Sequence, residues 1–184
     1  MTVRPSTYDA IIEAAFSLFN EDPTATIAEI AEFAGVGRAT FHRHFKGRDD
    51  LMSAMAHLAL RELDHAIELA TAEVESHTEG LRLAMAASIP LGNRQWFLAT
   101  EFVAFDESVK DAYQSGMKVL ASEIEAAKSE GSLDLAIPTE WIARVYESLI
   151  YAAWESVKEQ EATPDQAARL AWRSFINGNG NLQG

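Results

Sequence analysis

The amino-acid sequence predicts an all-α fold of about nine helices. Apolar residues recur every three or four positions along most of the 184 residues, and this spacing places them on one face of a helix. No segment shows the strict alternation of apolar and polar residues that a half-buried strand requires. Glycine and proline separate the periodic segments, as they do between helices.

The first helix is predicted over residues 6–20, where Ser6 or Thr7 can cap its start. Residues 20–23, Asn-Glu-Asp-Pro, end it. Its buried face is expected to comprise Tyr8, Ile11, Ile12, Ala15, Phe16 and Phe19.

The second helix begins after Thr26, within the stretch TIAEIAEFAGVGRATFHRHFKGRDDL at residues 26–51. Thr26 and Glu29 can form a capping box, in which each side chain accepts from the other residue's backbone amide. Gly35 can adopt the left-handed conformation that ends this helix. A single apolar stripe runs along it and comprises Ile27, Ile30, Ala31 and Ala34.

The third helix follows a tight turn and begins at about Arg38. Phe41 and Phe45 are four residues apart, so they share its buried face. The outward face is then left with Arg38, Ala39, His42 and Arg43. This is the build of a helix-turn-helix, a motif whose second helix enters the major groove of DNA.

Six further helices are expected. A long fourth helix, from Gly47 to about Val74, joins this N-terminal head to the rest of the chain. The other five are predicted at residues 80–89, 93–105, 107–130, 138–160 and 163–177. The tail from Gly178 to Asn181 is expected to be disordered.

The stretch at residues 26–51 resembles the DNA-binding signature of the TetR-type (tetracycline-repressor-like) transcriptional regulators. That signature runs roughly T-x-x-x-I-A-x-x-A-G-V-S-x-G-T-L-Y-x-H-F-x-x-K-x-x-L. The chain departs from it at Gly37, Ala39, Phe41, His42 and Arg48, where Ser, Gly, Leu, Tyr and Lys are usual. The matching positions are Ile30, Ala31, Ala34, Gly35, Val36, Thr40, His44, Phe45 and Leu51.

The resemblance implies a helix-turn-helix DNA-binding domain at residues 1–48 and a helical ligand-binding and dimerisation domain at residues 49–184. It implies that Arg38 and Arg43 are base readers, since Arg binds guanine bidentately. Arg48 is expected to bind phosphate at the start of the fourth helix. The full set of candidate DNA contacts is Thr26, Gly37, Arg38, Ala39, Thr40, His42, Arg43, His44, Lys46 and Arg48.

The charge distribution fits a DNA-binding head on an acidic body. The net charge of the chain is −13. Residues 34–48 nevertheless carry four Lys and Arg and no acid, whereas the chain from Leu51 onward has 20 acids against 10 Lys and Arg. We therefore expect double-stranded operator DNA to be the partner of the head.

Several classes of protein and site are excluded or disfavoured. The chain has no Cys, so it can form neither a disulfide nor a thiolate zinc site. It has no apolar run long enough for a transmembrane helix and no signal core at its N-terminus, so we expect a cytoplasmic location. No nucleophile triad or phosphate-binding loop is present. We expect no enzyme activity, no cofactor and no metal site.

Aromatic residues crowd three helices of the body. Taken one by one they are ordinary core residues, but with the resemblance some should line an apolar cavity that binds a small, largely apolar effector. A carboxylate in that cavity, from Glu101 or Glu147, would favour a cationic ligand. The candidate pocket residues are Trp96, Phe97, Glu101, Phe102, Phe105, Tyr113, Met117, Tyr146, Tyr151 and Trp154.

Members of the resembled family form homodimers through their last two helices. The corresponding helices here offer apolar surface at Trp141, Val145, Leu149, Ala153, Val157, Ala168, Ala171, Trp172 and Phe175. The function expected is that of a ligand-responsive regulator, most simply a repressor, on a palindromic operator. The alternative is a helical protein-interaction module that uses its basic helix only as surface.

Overall fold

A computed structural model describes residues 6–100 and 107–180, and it confirms the all-α class. Within these residues the backbone forms nine α-helices and one short 3-10 turn at Ile89–Leu91. The helices are α1 (Thr7–Glu21), α2 (Ile27–Phe33), α3 (Arg38–His44), α4 (Arg48–Thr71), α5 (His77–Ser88), α6 (Gly92–Thr100), α7 (Glu107–Ser129), α8 (Thr139–Lys158) and α9 (Pro164–Asn179).

Helices α1–α3 form a small N-terminal head, and their ends are set as the sequence predicts. Ser6 and Asp9 make a capping box at the start of α1, and Thr26 and Glu29 make another at the start of α2. Gly35 has a φ of 68°, the left-handed conformation expected where α2 ends.

The core of the head continues into the long α4. Phe16, Ile30, Phe41 and Leu51 are fully buried there. Because α4 contributes further buried residues down to Leu63, the head is packed onto the same helix that forms one wall of the body.

The body is a second apolar cluster built from α5, α7, α8 and α9. Helices α8 and α9 pack along each other, with Phe175 buried edge-on against Tyr146. The short α6 lies between the two regions, where it contacts α1, α4 and α8.

Helix α4 ends at Thr71 rather than at about Val74, and two other predicted boundaries were wrong because of contacts distant in sequence. Helix α5 begins at His77 rather than at residue 80, because the Glu130 carboxylate accepts hydrogen bonds from the His77 and Thr78 amides. The tail predicted to be disordered continues α9 to Asn179, which is buried and whose carbonyl oxygen accepts from the Asp134 amide at 2.9 Å. Asn181 lies outside the described residues.

Candidate DNA-binding surface and ligand cavity

The aromatic residues of α3 fix its orientation on the head. Phe41 is fully buried, and the buried ring of Phe45 stacks on Tyr8 of α1 with ring centroids 5.1 Å apart. The turn before α3 is closed by the Val36 amide, which donates to the Ala31 carbonyl. One side of this seven-residue helix is thereby packed against α1, and the opposite side faces outward.

The outward side of α3 gathers most of the DNA contacts predicted from the sequence. Arg38, His42 and Arg43 are exposed, and the Arg43 guanidinium donates to the Thr40 hydroxyl at 3.2 Å. This bond sets the direction of the Arg43 side chain along the helix. Exposed positions also include Gly37, Ala39, His44 and Lys46.

Arg48 is engaged differently from the prediction, which assigned it to phosphate. Its guanidinium donates to the Pro23 and Ala25 carbonyl oxygens, both at 2.6 Å, and lies 4.4 Å from the centroid of the Phe19 ring. These bonds tie the start of α4 to the loop between α1 and α2, and the phosphate contact of Arg48 stays a prediction. No local sequence signal announces partners more than twenty residues away.

Thr26 also has an internal role. Its hydroxyl accepts from the Glu29 amide and donates to the Glu29 carboxylate at 2.7 Å. The hydrogen bonds that Glu29 receives from Thr26 lower the pKa of the Glu29 carboxyl. The side chain of Thr26 therefore holds the start of α2.

A cavity of about 610 Å³ lies in the body between α4, α5, α7 and α8, with α6 at one side. Its volume is that of a site for a drug-sized ligand. The walls are mainly apolar, and their larger apolar side chains are Leu60, Leu63, Ile67, Leu81, Leu98, Met117, Leu120 and Ile150.

Three of the predicted pocket residues line this cavity: Tyr113, Met117 and Tyr146. Four others, Trp96, Phe97, Tyr151 and Trp154, do not line it. Of these, Phe97 packs edge-on against Phe16 at the junction with the head. The remaining predicted residues, Glu101, Phe102 and Phe105, lie outside the described residues.

Trp96, Tyr151 and Trp154 form an aromatic cluster outside the cavity, which corrects their prediction as pocket residues. Trp96 stacks on Tyr151 with ring centroids 4.2 Å apart, and Tyr151 contacts Trp154 at 5.5 Å. Large aromatic rings gain most by packing on each other, so this cluster joins α6 to α8.

The walls supplied by α4 and α5 were missed by the sequence analysis. The periodicity of an amphipathic helix predicts that a face is buried, but it does not distinguish a packed core from an open cavity. Charge could have indicated the cavity in the sequence. Two acids of the lining, Asp64 and Glu68, interrupt the apolar face of α4.

The described lining carries acids without a matching number of bases. Its acidic side chains are Asp64, Glu68, Glu75, Glu123 and Glu147, and its basic side chain within the described residues is His77. Burial, together with the neighbouring Glu68, raises the pKa of Asp64. An acidic cavity of this kind lowers the energy of a bound cation.

Glu147 is the most enclosed of these carboxylates. Burial raises its pKa, and hydrogen bonds from Tyr113 and Gln95 oppose that rise. The Tyr113 hydroxyl donates to Glu147 at 3.3 Å, and burial beside this carboxylate raises the pKa of Tyr113. Burying a carboxylate is costly unless hydrogen bonds or a positive charge compensate.

At one end of the cavity, α7 holds the start of α5. The Glu130 carboxylate accepts from the Thr78 hydroxyl and amide and from the His77 amide, and these bonds lower its pKa to about 2. The His77 ring lies 2.8 Å from the Glu123 carboxylate, and this contact raises the pKa of His77.

The predicted dimer residues divide into two groups. Trp141 is 59% exposed, and Val145, Leu149, Val157, Ala168 and Trp172 are partly exposed. Ala153, Ala171 and Phe175 are buried within the chain's own α8–α9 packing, so they are core residues rather than interface residues. Leu170 is a further exposed apolar side chain on α9.

Two further findings concern the described residues. None of their helices is long and apolar enough to span a bilayer. No group of three or more His, Cys, Asp or Glu side chains among them is arranged to hold a metal ion.

The sequence profile of bacterial regulatory proteins of the tetR family matches residues 11–55, which run from α1 through the helix-turn-helix into α4. Over these residues the chain has the DNA-binding head of a TetR-type regulator. It is therefore a DNA-binding transcriptional regulator.

The relatives extend this likeness beyond the head. The transcriptional repressor LfrR of Mycolicibacterium smegmatis is 29% identical over 157 residues, which are 85% of this chain and 82% of LfrR. The crystal structure of LfrR in complex with proflavine superposes with a TM-score of 0.73 at 27% identity, over 94% of this chain and 95% of that one.

A more distant structure shows the same fold. A tetR-family regulatory protein from Rhodococcus RHA1 has a TM-score of 0.75 at 17% identity, over 98% of this chain and all of that one.

Proposed function

We propose that this TetR-type regulator is a homodimeric repressor that leaves its operator when a small lipophilic cation fills the body cavity. The observation that carries the proposal is the single long helix α4, which is buried in the core of the head and also lines the cavity. A ligand in the body can then act on the DNA-binding surface through one rigid element.

The DNA-binding surface supports direct reading of bases by Arg38 and Arg43. Both side chains project from the outward side of α3, and Arg43 is held by Thr40. Each substitution, Arg38→Ala or Arg43→Ala, should cost about 1–3 kcal/mol of binding and relax specificity at one base pair. Lys46→Ala should weaken all sequences alike, because an exposed lysine beside the helix is suited to phosphate.

The operator should be a palindrome read by a dimer. One seven-residue recognition helix spans only a few base pairs, so two are needed for useful specificity. Trp141 and Leu170 supply exposed apolar surface on α8 and α9 for such a dimer. We expect half-sites separated by about one helical turn of DNA or a multiple of it.

Selection of bound fragments from genomic DNA, followed by footprinting and light scattering, tests this part of the proposal. A two-fold symmetric footprint and a dimer in solution are the expected results. A protein that enriches no sequence would instead fit a helical interaction module, and a monomer that still binds specifically would remove the dimer.

The effector class follows from the cavity lining. Apolar walls with five carboxylates suit a ligand that is both lipophilic and positively charged, and Glu147 is the carboxylate nearest to full burial. The LfrR structure in complex with proflavine supports this choice, since proflavine is an aromatic cation at neutral pH.

Tetraphenylphosphonium is a suitable probe for calorimetry, because it is a lipophilic cation that does not intercalate into DNA. Neutral triphenylphosphine oxide should bind much more weakly. Glu147→Gln should raise the dissociation constant of tetraphenylphosphonium about tenfold, which corresponds to a loss of about 1.4 kcal/mol of binding free energy. Glu140→Gln provides the control, because it removes the same charge from the exposed start of α8. Equal binding of the cation and the neutral compound would refute the charge requirement.

A further inference from the structure

Two helical glycines line the cavity of the body. Gly80 lies near the start of α5, and Gly116 lies in the middle of α7. Glycine destabilises a helix relative to alanine, because it loses more backbone freedom on folding. A helical glycine is explained by a left-handed backbone, by a close neighbour or by a need for open space.

Neither the backbone nor the packing requires these two glycines. Neither Gly80 nor Gly116 has a positive φ. A Cβ built at either position would meet no atom within 4 Å beyond its own turn of helix. Gly92 of α6 is the contrast, since a Cβ there would overlap the side chain of Trp154. The space that the two glycines leave open therefore belongs to the cavity.

A row of small residues continues from each glycine along the cavity. On α5, Ala84 and Ser88 follow Gly80 at intervals of four residues, and all three line the cavity. On α7, Ala112 precedes Gly116 by four residues and also lines it. Along these rows a ligand can approach the helix backbone more closely than larger side chains would allow.

Two carboxylates of the lining lie on other walls of the cavity. Asp64 is on α4 and Glu147 is on α8. A ligand whose positive charge is attracted by these carboxylates has the space beside Gly80 and Gly116 left for its apolar groups.

We propose that Gly80 and Gly116 are specificity-determining residues that set the size limit of the cation, and that the effector is a cation carrying several ring-sized apolar groups. A small quaternary ammonium ion would leave much of the cavity of about 610 Å³ unfilled and would bury little apolar surface. This inference rests on the proposed function, since it names the class of cation that the same site takes.

Calorimetry with two phosphonium ions of equal charge tests the size limit. Methyltriphenylphosphonium has a methyl group in place of one phenyl group of tetraphenylphosphonium, and this exchange removes about the volume that a leucine side chain adds. Gly116→Leu and Gly80→Leu should each raise the dissociation constant of tetraphenylphosphonium about tenfold or more, because the added side chain overfills the cavity. The dissociation constant of methyltriphenylphosphonium should rise less than about threefold.

Ser115→Leu is the matched control. Ser115 is exposed on α7 beside Gly116 and is not part of the cavity lining, so its replacement should change neither dissociation constant. Gly116→Ala provides a milder step for which folding is not at risk, since alanine is the better helix former. It should raise the dissociation constant of tetraphenylphosphonium about two- to threefold.

The parent protein tests the class of cation. It should bind tetraphenylphosphonium at least about tenfold more tightly than phenyltrimethylammonium, which carries the same charge on a single ring. Equal or tighter binding of the small ion would contradict a multi-ring effector.

The outcomes separate this inference from the proposed function. If the parent binds no tetraphenylphosphonium, the cationic effector of the proposed function is wrong and this inference falls with it. If the parent binds it and the variants at Gly80 and Gly116 bind it equally well, only the size limit is refuted. Equal losses for both phosphonium ions would also refute the size limit, because leucine would then distort the site rather than fill it.

Discussion

The head and the body place their functional residues in opposite ways. The exposed candidates for DNA contact lie within residues 37–46, one contiguous stretch on and beside α3. The cavity takes its lining from five helices, between Leu60 and Ile150. A local motif is therefore sufficient to recognise the head, whereas the binding site of the body exists only after helices distant in sequence have packed.

The largest expected effect tests whether the head depends on its small aromatic core. Phe41→Ala should destabilise the protein by about 3–5 kcal/mol, because it empties a fully buried site. Phe33→Ala makes the same change at a head residue that is 62% exposed, and it should shift stability by less than about 0.5 kcal/mol. Urea denaturation measures both. Similar losses from the two variants would contradict the assignment of the core.

The second prediction separates folding from DNA binding within the head. Arg48→Met should cost about 1.5–3 kcal/mol of stability, since it removes charged hydrogen bonds to the Pro23 and Ala25 carbonyls. Lys46→Met should leave the denaturation midpoint unchanged. It should reduce the slope of the logarithm of operator affinity against the logarithm of salt concentration by about one. If Arg48→Met were as stable as the parent and weakened binding to all DNA sequences alike, Arg48 would be a phosphate contact rather than a structural residue of the head.

The third prediction concerns close packing in the body. Gly92→Ala should destabilise by about 1–3 kcal/mol, because its Cβ would overlap Trp154. Gly116→Ala on α7 has open space at the Cβ position, so higher helix propensity should stabilise it by about 0.5–1 kcal/mol. The two substitutions should shift the melting temperature in opposite directions. A lower melting temperature for both would indicate that the Gly116 position is packed.

These contrasts show why some features were predictable and others were not. The Thr26–Glu29 capping box and the left-handed Gly35 are local, so their residue types determine them. The aromatic residues of α6 and α8 were expected to line the cavity, but Trp96 stacks on Tyr151 outside it. Periodicity predicts which face of a helix is buried, but it does not predict which helix packs against that face.

Charged side chains illustrate the same limit. Nothing in the sequence distinguishes Arg48 and Arg94 from solvent-exposed arginines. Each is nevertheless held by hydrogen bonds to residues distant in the chain. The acids of the cavity were likewise only partly anticipated: Glu147 was named as a candidate, but Asp64 was not. Their positions in the cavity depend on how α4 and α8 pack, which no local pattern encodes.

The smallest predicted effect tests the contact that joins α5 to α7. The Glu123 carboxylate raises the pKa of His77 above its ordinary value of 6.5, so the folded state binds the proton more tightly than the unfolded state. The stabilisation is therefore fully present below pH 6.5 and is lost as the pH rises through the raised folded value.

We expect His77→Gln to lower the melting temperature most at about pH 5.5 and hardly at all by about pH 8.5. His65→Gln, the same change at an exposed position of α4, should show no such trend. A loss that grows as the pH rises would contradict the sign of the His77 shift.

The most direct test of the account is the operator affinity measured with and without tetraphenylphosphonium, on protein whose binding of the cation has been established by calorimetry. The account predicts that saturating cation weakens operator binding by about 5- to 150-fold, and that Glu147→Gln requires more cation for the same loss. If the cation fills the cavity and the operator dissociation constant does not change, the cavity and the head are not coupled and the central claim is wrong.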